Sequence, residues 1–99
     1  MMHDMKLRQA IKEKHPIEFT YNGKRRVVYP YIYGKNQKKQ FALSAYQIEG
    51  QASEPLPDWR QFIVEQITDI WIFHEQVFIP DAPGYNPNDK WFSEIIAKI

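Results

Sequence analysis

The sequence of 99 residues contains no cysteine, only four glycines and no apolar run near the roughly 20 residues that span a bilayer. The absence of cysteine excludes disulfides, thiol nucleophiles and zinc sites built on cysteine. The glycines are isolated from one another, which excludes a glycine-rich phosphate loop. The N-terminus also lacks the apolar stretch of a secretory signal. We therefore expect one small cytoplasmic domain over residues 1–99.

The chain is rich in aromatic residues, and its charges are unevenly distributed. Aromatics make up 15% of it, which favours strands and a surface that carries a pocket or an interface. The net charge is +1, but residues 1–39 hold ten Lys/Arg against three Asp/Glu, and residues 40–99 hold three against nine. The basic half either presents a patch to an anionic partner or only solvates exposed faces. Charge alone leaves both interpretations open.

The first segment predicts a helix over residues 4–15. Its apolar residues are three or four positions apart and share one face, and they are Leu7, Ala10 and Ile11. Asp4 is the predicted N-cap, and the helix should stop before Pro16 because the residue preceding a proline avoids helical geometry.

Five strand-like segments follow and predict a small β-barrel over residues 17–73. They are residues 17–21, 26–33, 40–48, 59–64 and 67–73. Asn22-Gly23 predicts a tight hairpin turn between the first two. Pro30 cannot donate a ladder hydrogen bond, so it indicates an edge position, a bulge or a bend. A polar loop over residues 49–58, which includes Ser53, joins the third and fourth strands.

The C-terminal extension, residues 77–99, predicts a second helix. Asn86 is the expected cap, with Pro87 at the first helical position. The predicted apolar stripe consists of Trp91, Phe92, Ile95, Ile96 and Ile99. This helix either packs across the barrel or the first helix, or it docks on another subunit of a homo-oligomer or on another protein. The predicted fold class is therefore mainly β, a small Sm/SH3-like barrel with one helix at each end.

Four segments carry, in order, a family resemblance. They read FTY at 19–21, RVVYPY at 26–31, FALSAY at 41–46 and WRQFIVEQI at 59–67. Together they resemble a WYL domain over about residues 7–72. Phe41 and Ala42 stand at the positions of the namesake Trp and Tyr, and only Leu43 is retained. Gln66 stands where the family often has a second arginine.

The resemblance implies a fold and a function. WYL domains are similar to Sm/SH3-type barrels, and many follow a DNA-binding helix-turn-helix in bacterial regulators. They are generally regarded as ligand-sensing, with nucleic acid or nucleotides as the favoured ligands. Too few residues precede Leu7 for a helix-turn-helix. We therefore expect this chain to act as an accessory subunit, or by binding nucleic acid directly.

The predicted ligand site combines arginine with tyrosine. Arg26 and Arg60 supply planar forks of donors that suit phosphate oxygens, and tyrosine supplies a face on which a base can stack. The predicted site residues are Arg26, Arg60, Ser44, Tyr46 and Tyr21. Alternatively, the arginine stems only pack on aromatic residues. The two arginines should converge if the chain binds a ligand, and they should diverge if it is a protein-interaction module without one.

The basic residues and the aromatic surface each allow a further functional interpretation. Basic residues near the two hairpin turns either steer a nucleic-acid backbone or keep the turns soluble, and they are Lys24, Arg25, Arg26, Lys35, Lys38 and Lys39. The rival function is a protein-interaction module, without a small ligand, that uses the aromatic surface and the C-terminal helix. No catalytic triad, metal motif or cofactor loop appears, so we predict no enzyme, metal or cofactor.

Overall fold

The computed structural model describes residues 3–52 and 54–99, so Met1, Met2 and Ser53 lie outside the described residues. The chain is mainly β, as predicted. Its elements are α1 (Asp4–Glu13), β1 (Ile17–Tyr21), β2 (Lys24–Asn36), β3 (Phe41–Gly50), β4 (Asp58–Ile63), a 3-10 turn (Val64–Gln66), β5 (Thr68–Ile72) and β6 (Phe92–Lys98). Within this part of the chain, no helix has the length and apolar character that crossing a membrane requires.

Helix α1 packs on the sheet, against β2 and β6. The predicted face is confirmed, since Leu7, Ala10 and Ile11 are buried. The predicted cap is wrong, because His3 occupies the N-cap position and Asp4 is already helical. The Asp4 carboxylate instead accepts a 2.7 Å hydrogen bond from the buried Tyr33 hydroxyl, which anchors the helix to β2 and lowers the pKa of Asp4.

The N-terminal hairpin follows the sequence pattern. Asn22 and Gly23 have positive φ angles of 53° and 71°, the geometry that this pair tolerates best. Strand β2 then pairs with β1 on one side and β3 on the other. Its register with β3 shifts between Pro30 and Ile32, so the predicted irregularity at Pro30 is a bulge.

The predicted C-terminal helix is wrong. Residues 92–98 form β6, which pairs antiparallel with β2. The Asn86 side chain accepts a hydrogen bond from the Asn88 N–H, and the Asp89 side chain accepts one from the Trp91 N–H. These side chains stabilise local turns rather than capping a helix, which is the competing role of both residue types.

The length of β2 explains why β6 is a strand. β2 has 13 residues, whereas β1 has five and covers only residues 24–28 of its edge. Residues 32–36 of the same edge pair with β6. The two backbones approach closely at Gly34, where a Cβ atom would overlap the Glu94 carbonyl oxygen. A free edge on a buried strand thus outweighs the helical spacing of the apolar residues.

The sheet does not close into the predicted barrel. Its strand order is β4-β3-β2-β1-β5, with β6 attached to the free half of β2. The ends of this path are β4 and β5, and a 3-10 turn at Val64–Gln66 separates them along the chain. The sheet therefore has an inner face, which packs on α1, and an outer face.

Both faces of the sheet are covered. The inner core includes Leu7, Phe19, Leu43 and Phe62, all almost completely buried. The outer cluster is aromatic and lies between the sheet and the C-terminal segment; its members include Tyr29, Tyr31, Tyr46, Trp59, Phe78, Tyr85, Trp91 and Phe92. Residues 77–99 therefore pack on this chain, over the face that would otherwise expose these rings.

Candidate functional site

Arg26 enters the inner core from β2. It pairs with Phe19 on β1 and with Gly50 on β3, and the whole residue is only 8% exposed. Its terminal nitrogens donate two long hydrogen bonds of 3.4 Å, one to the Gln47 side-chain oxygen and one to the Tyr21 carbonyl oxygen. Its Nε atom is buried and has no hydrogen-bond partner among the described residues. Arg26 is therefore a buried cation with incomplete pairing.

Arg60 approaches the same region from β4, where it pairs with Ala45 of the inner face. Its side chain is 18% exposed, and Nη1 lies 3.6 Å from an Asp58 carboxylate oxygen and 3.8 Å from one of Glu54. These ion pairs are long, and both carboxylates are largely open to solvent, so each interaction is weak. The Arg60 Nη2 atom is buried, again with no partner within the described ranges.

The two guanidinium groups are close enough to affect one another. Burial lowers the pKa of Arg26, and the positive charge of Arg60 lowers it further. Both arginines lie on the inner face of the sheet, where the Arg26 guanidinium carbon is 5.8 Å from the centre of the Phe62 ring and Arg60 stands two residues before Phe62 on the same face of β4. Each cation contributes one buried nitrogen that lacks an acceptor in the described part of the chain. Two positive charges on one face of the sheet favour an anion.

Aromatic rings form one wall of this site. The Arg26 guanidinium carbon lies 5.8 Å from the ring centres of both Tyr21 and Phe62. These two rings also pack edge to face at 4.9 Å, and the Tyr21 hydroxyl oxygen accepts a hydrogen bond from the Ile63 N–H. The Tyr21 ring is buried in these contacts, so it supports the guanidinium and leaves no face on which a base can stack.

Ser44 and Tyr46 do not join the arginines. The register pairs Ala45 with Arg60, whereas Ser44 pairs with Gln61. Because paired residues share a face and neighbouring residues alternate, Ser44 and Tyr46 lie on the outer face. Tyr46 packs edge to face against Trp59 at 5.3 Å there. The predicted five-residue site is thus divided by the sheet, and three of its members lie together.

Ser44 belongs to a separate pocket of about 230 Å³ between the sheet and the C-terminal segment. The residues that line it are Ile32, Ser44, Trp59, Gln61, Gly84, Tyr85, Asn86 and Asp89. The only side chain in this lining that carries a charge near neutral pH is Asp89, a carboxylate. The pocket is therefore unsuited to the anionic ligand for which Ser44 was predicted.

The basic residues do not form one continuous patch. Lys24 and Arg25 are exposed at the start of β2, whereas Lys38 and Lys39 are exposed in the turn that follows its other end. Arg25 forms a 3.0 Å ion pair with Glu18. Arg26 alone among these residues is buried, which separates its role from that of the surface charges.

Gln47 and Glu54 are among the residues of the site that were not predicted from the sequence. Gln47 is fully buried and holds the Arg26 guanidinium through its oxygen, while its nitrogen donates to the Glu49 and Gln51 carbonyls. Alternation along β3 places Gln47 on the same face as Leu43 and Ala45, so a polar residue at a core position was the available signal. Glu54 comes from the loop before β4, and no local pattern indicates its approach to Arg60.

The acidic and histidine side chains of the described residues do not form a metal site. Within residues 3–52 and 54–99, no three His, Asp or Glu side chains lie together in an arrangement that could hold a metal ion. His15 Nδ1 lies 2.7 Å from the Gln76 carbonyl oxygen, and His3 Nε2 lies 2.8 Å from that of Ile67. Both rings therefore link the N-terminal region to distant parts of the backbone.

Replacing Arg26 by methionine is expected to stabilise the protein. Methionine has a similar length and removes a desolvated charge whose hydrogen bonds are long and whose Nε lacks a partner. Replacements of poorly paired buried charges by apolar side chains often gain stability, and we expect Arg26→Met to raise the free energy of unfolding by about 1 kcal/mol. Urea denaturation followed by circular dichroism measures the change.

The matched control is Arg25→Met, since Arg25 is the preceding residue and is exposed. Its free energy of unfolding should stay within about 0.5 kcal/mol of the wild-type value. A loss of stability in Arg26→Met would mean that the guanidinium contributes to the fold, and that its burial needs no functional explanation.

Comparison with models of known protein families, with curated protein sequences and with solved structures gives no significant match to this chain. The site is accordingly interpreted from its own residues, together with the sequence resemblance already described.

Proposed function

We propose that this chain is a WYL-like ligand-binding module that binds an anionic ligand through Arg26 and Arg60. The ligand class is a nucleotide or a short single-stranded nucleic acid, and the bound state is relayed to a partner. By its resemblance to WYL domains, the domain acts as a regulatory subunit rather than as an enzyme.

The observation that carries this proposal is that Arg26 and Arg60, both on the inner face, each bury a guanidinium nitrogen with no acceptor among the described residues. Buried polar groups nearly always have a hydrogen-bond partner, and leaving one unpaired costs about 1–3 kcal/mol. Two such groups beside one another are therefore expensive for the fold. A phosphate oxygen that accepted from both would recover this cost and would also neutralise the like-charge repulsion.

The surrounding residues support an anion over a neutral ligand. Tyr21 and Phe62 exclude water from one side of Arg26, so its charge is poorly screened there. The weak ion pairs of Arg60 with Glu54 and Asp58 are the contacts that an anion would replace. Since both carboxylates remain partly exposed, solvent can rehydrate them when the ligand enters.

Removing the Arg60 charge is expected to weaken binding about tenfold, because one charge-assisted contact to phosphate is lost. The measurement is fluorescence anisotropy with fluorescein-labelled single-stranded DNA and RNA at low and moderate salt, on the wild type and Arg60→Gln. Affinity for a phosphate-bearing ligand should fall as salt rises. Circular dichroism confirms that the variant is folded.

Arg25→Gln is the matched control, because it removes one positive charge from an exposed position close to the site in sequence. Its affinity should stay near the wild-type value. Equal losses in Arg25→Gln and Arg60→Gln would indicate diffuse attraction to the basic surface and would contradict a specific site.

The rival function, a protein-interaction module, rests on a smaller observation. Trp71 on the edge strand β5 is 65% exposed, although the other aromatic rings lie mostly within the two clusters. The C-terminal segment is part of the sheet and its outer cluster, so this alternative no longer has the helix on which it was first based. Absence of binding to either labelled strand would favour Trp71 and its edge as the functional surface.

A further inference from the structure

We infer that the Arg26–Arg60 site takes the terminal phosphate of its ligand, a phosphomonoester, in preference to a phosphodiester within a chain. This inference rests on the proposed function and specifies the substrate class of the same site. It follows from how deep the two unpaired nitrogens lie and from the charges at the outer side of Arg60.

The two unpaired nitrogens, Arg26 Nε and Arg60 Nη2, are buried and inaccessible to solvent. The rings of Tyr21 and Phe62 and the buried Gln47 amide lie around Arg26. An acceptor that reaches both nitrogens must therefore enter the protein, beyond the exposed part of the Arg60 side chain. A group joined to its ligand at one point can enter in this way.

A phosphomonoester offers more unsubstituted oxygens than a phosphodiester does. A phosphomonoester has three unsubstituted oxygens and a single bond to the rest of the ligand, so it can present oxygens to two guanidinium groups at once. It also carries a charge of about −1.5 to −2 near neutral pH, which matches two cations. A phosphodiester carries one charge and continues as chain on two sides, and both continuations would have to pass the walls of the site.

The solvent-facing side of Arg60 is acidic. Glu54 and Asp58 lie 3.8 Å and 3.6 Å from Arg60 Nη1, and their side chains are 66% and 47% exposed. A neighbouring phosphate that followed the bound group along a chain would approach these carboxylates and be repelled. A ligand whose negative charge is concentrated at its terminus avoids this repulsion.

The test compares two single strands that differ in one group. Both have about eight nucleotides, within the range of single-domain sites, and a 3′-fluorescein label. One strand has a 5′-phosphate and the other a 5′-hydroxyl. Anisotropy titrations of the wild type should give about tenfold tighter binding to the phosphorylated strand. In Arg60→Gln this preference should nearly disappear, whereas Arg25→Gln should retain it.

A second measurement uses small unlabelled competitors, which removes any contribution from the strand. Adenosine 5′-monophosphate should displace the phosphorylated strand at about tenfold lower concentration than adenosine 3′,5′-cyclic monophosphate, which is a diester, and unphosphorylated adenosine should not displace it. The same competition is measured with Arg26→Met, which should be stably folded. This variant should show no preference for adenosine 5′-monophosphate over the cyclic diester.

The outcomes separate the inference from the proposed function. If the hydroxyl-ended strand binds as well as the phosphorylated one, and Arg60→Gln weakens both, the site binds anions without terminal preference and this inference is wrong. If neither strand nor any competitor binds, the proposed function fails together with the inference. A preference that survives in both Arg60→Gln and Arg26→Met would place terminal recognition elsewhere and would also overturn the inference.

Discussion

Gly34→Ala is expected to lower the free energy of unfolding by about 3 kcal/mol, because the new methyl group would force β6 away from β2. A Cβ atom at this position would overlap the Glu94 carbonyl oxygen and would lie 3.0 Å from the Ile95 Cα atom. Both are backbone atoms of β6 and cannot turn aside as a side chain could. Urea denaturation gives the free energy, and amide hydrogen exchange of residues 92–98 reports whether β6 remains paired.

The control for this prediction is Gly23→Ala. Gly23 has a positive φ angle of 71° and nothing within 4 Å of the added carbon, so its substitution strains the backbone without a clash. That strain should cost about 1 kcal/mol and leave exchange in β6 unchanged. If Gly34→Ala were no more destabilising than Gly23→Ala, the close approach of the two strands would not constrain the fold.

The second prediction is steep unfolding in alkaline solution. Burial raises the pKa values of Tyr31, Tyr33 and Tyr85 above the usual value of about 10. The Tyr33 hydroxyl donates to the Asp4 carboxylate and the Tyr85 hydroxyl to the Ile99 carbonyl oxygen, so ionisation would also break these hydrogen bonds. All three rings belong to the packed clusters, and the folded state therefore requires their neutral forms.

The direction of the pH effect follows from proton counts. Above about pH 10 these tyrosines ionise in the unfolded chain but stay protonated in the folded one, so the unfolded state binds fewer protons and stability falls as pH rises. Each tyrosine contributes a slope approaching about 1.4 kcal/mol per pH unit until its folded pKa is reached. Below about pH 9 the contribution is fully present and the slope vanishes.

The measurement is the free energy of unfolding as a function of pH, from urea titrations between neutral pH and pH 11. Tyr33→Phe should be less stable at neutral pH, through loss of the Asp4 hydrogen bond, yet should show a shallower alkaline slope. Tyr31→Phe should reduce the slope similarly. An alkaline slope that is identical in the wild type and both variants would contradict the assignment to these rings.

Local sequence signals predicted the N-terminal two thirds of the fold well. Asn22-Gly23 set a hairpin because its geometry depends on two residues alone, and strict alternation over Ile17–Tyr21 fixed which side chains of β1 are buried. Strand ends differed from prediction by up to three residues, most of all in β2. Its polar ends at Lys24 and Asn36 extend the ladder because their backbones find partners in neighbouring strands.

The C-terminal segment could not be predicted from its own residues. Phe92, Ile95, Ile96 and Ile99 fit a helical stripe, but β-branched isoleucine equally suits a strand, and short apolar segments do not distinguish the two. What decided the outcome was the uncovered half of β2, which lies far away in sequence. Closure of the sheet would require β4 to pair with β5, the two ends of the strand order. No local sequence pattern indicates whether these two strands pair.

The sequence indicated the charges of the candidate site better than its other residues. Arg26 and Arg60 were predicted for one site, and the register places both on the inner face, because β3 pairs with both of their strands. Ser44 and Tyr46 were assigned to the same site although alternation separates them from Ala45, the residue that pairs with Arg60. The error came from combining residue types without the β3–β4 register, which becomes known only when both strands are aligned.

The division of β2 between two partners also has a consequence for the order of synthesis. β2 and β3 are synthesised before β4 and β5, whereas β6, the partner of residues 32–36, is synthesised after them. Until then a nascent molecule carries an unpaired, apolar strand edge, the kind of surface that recruits other chains. Its pairing is also among the most distant in sequence, so it closes late. Charged residues beside this edge, including Lys35, Lys38 and Lys39, lie where they can discourage premature association during that interval.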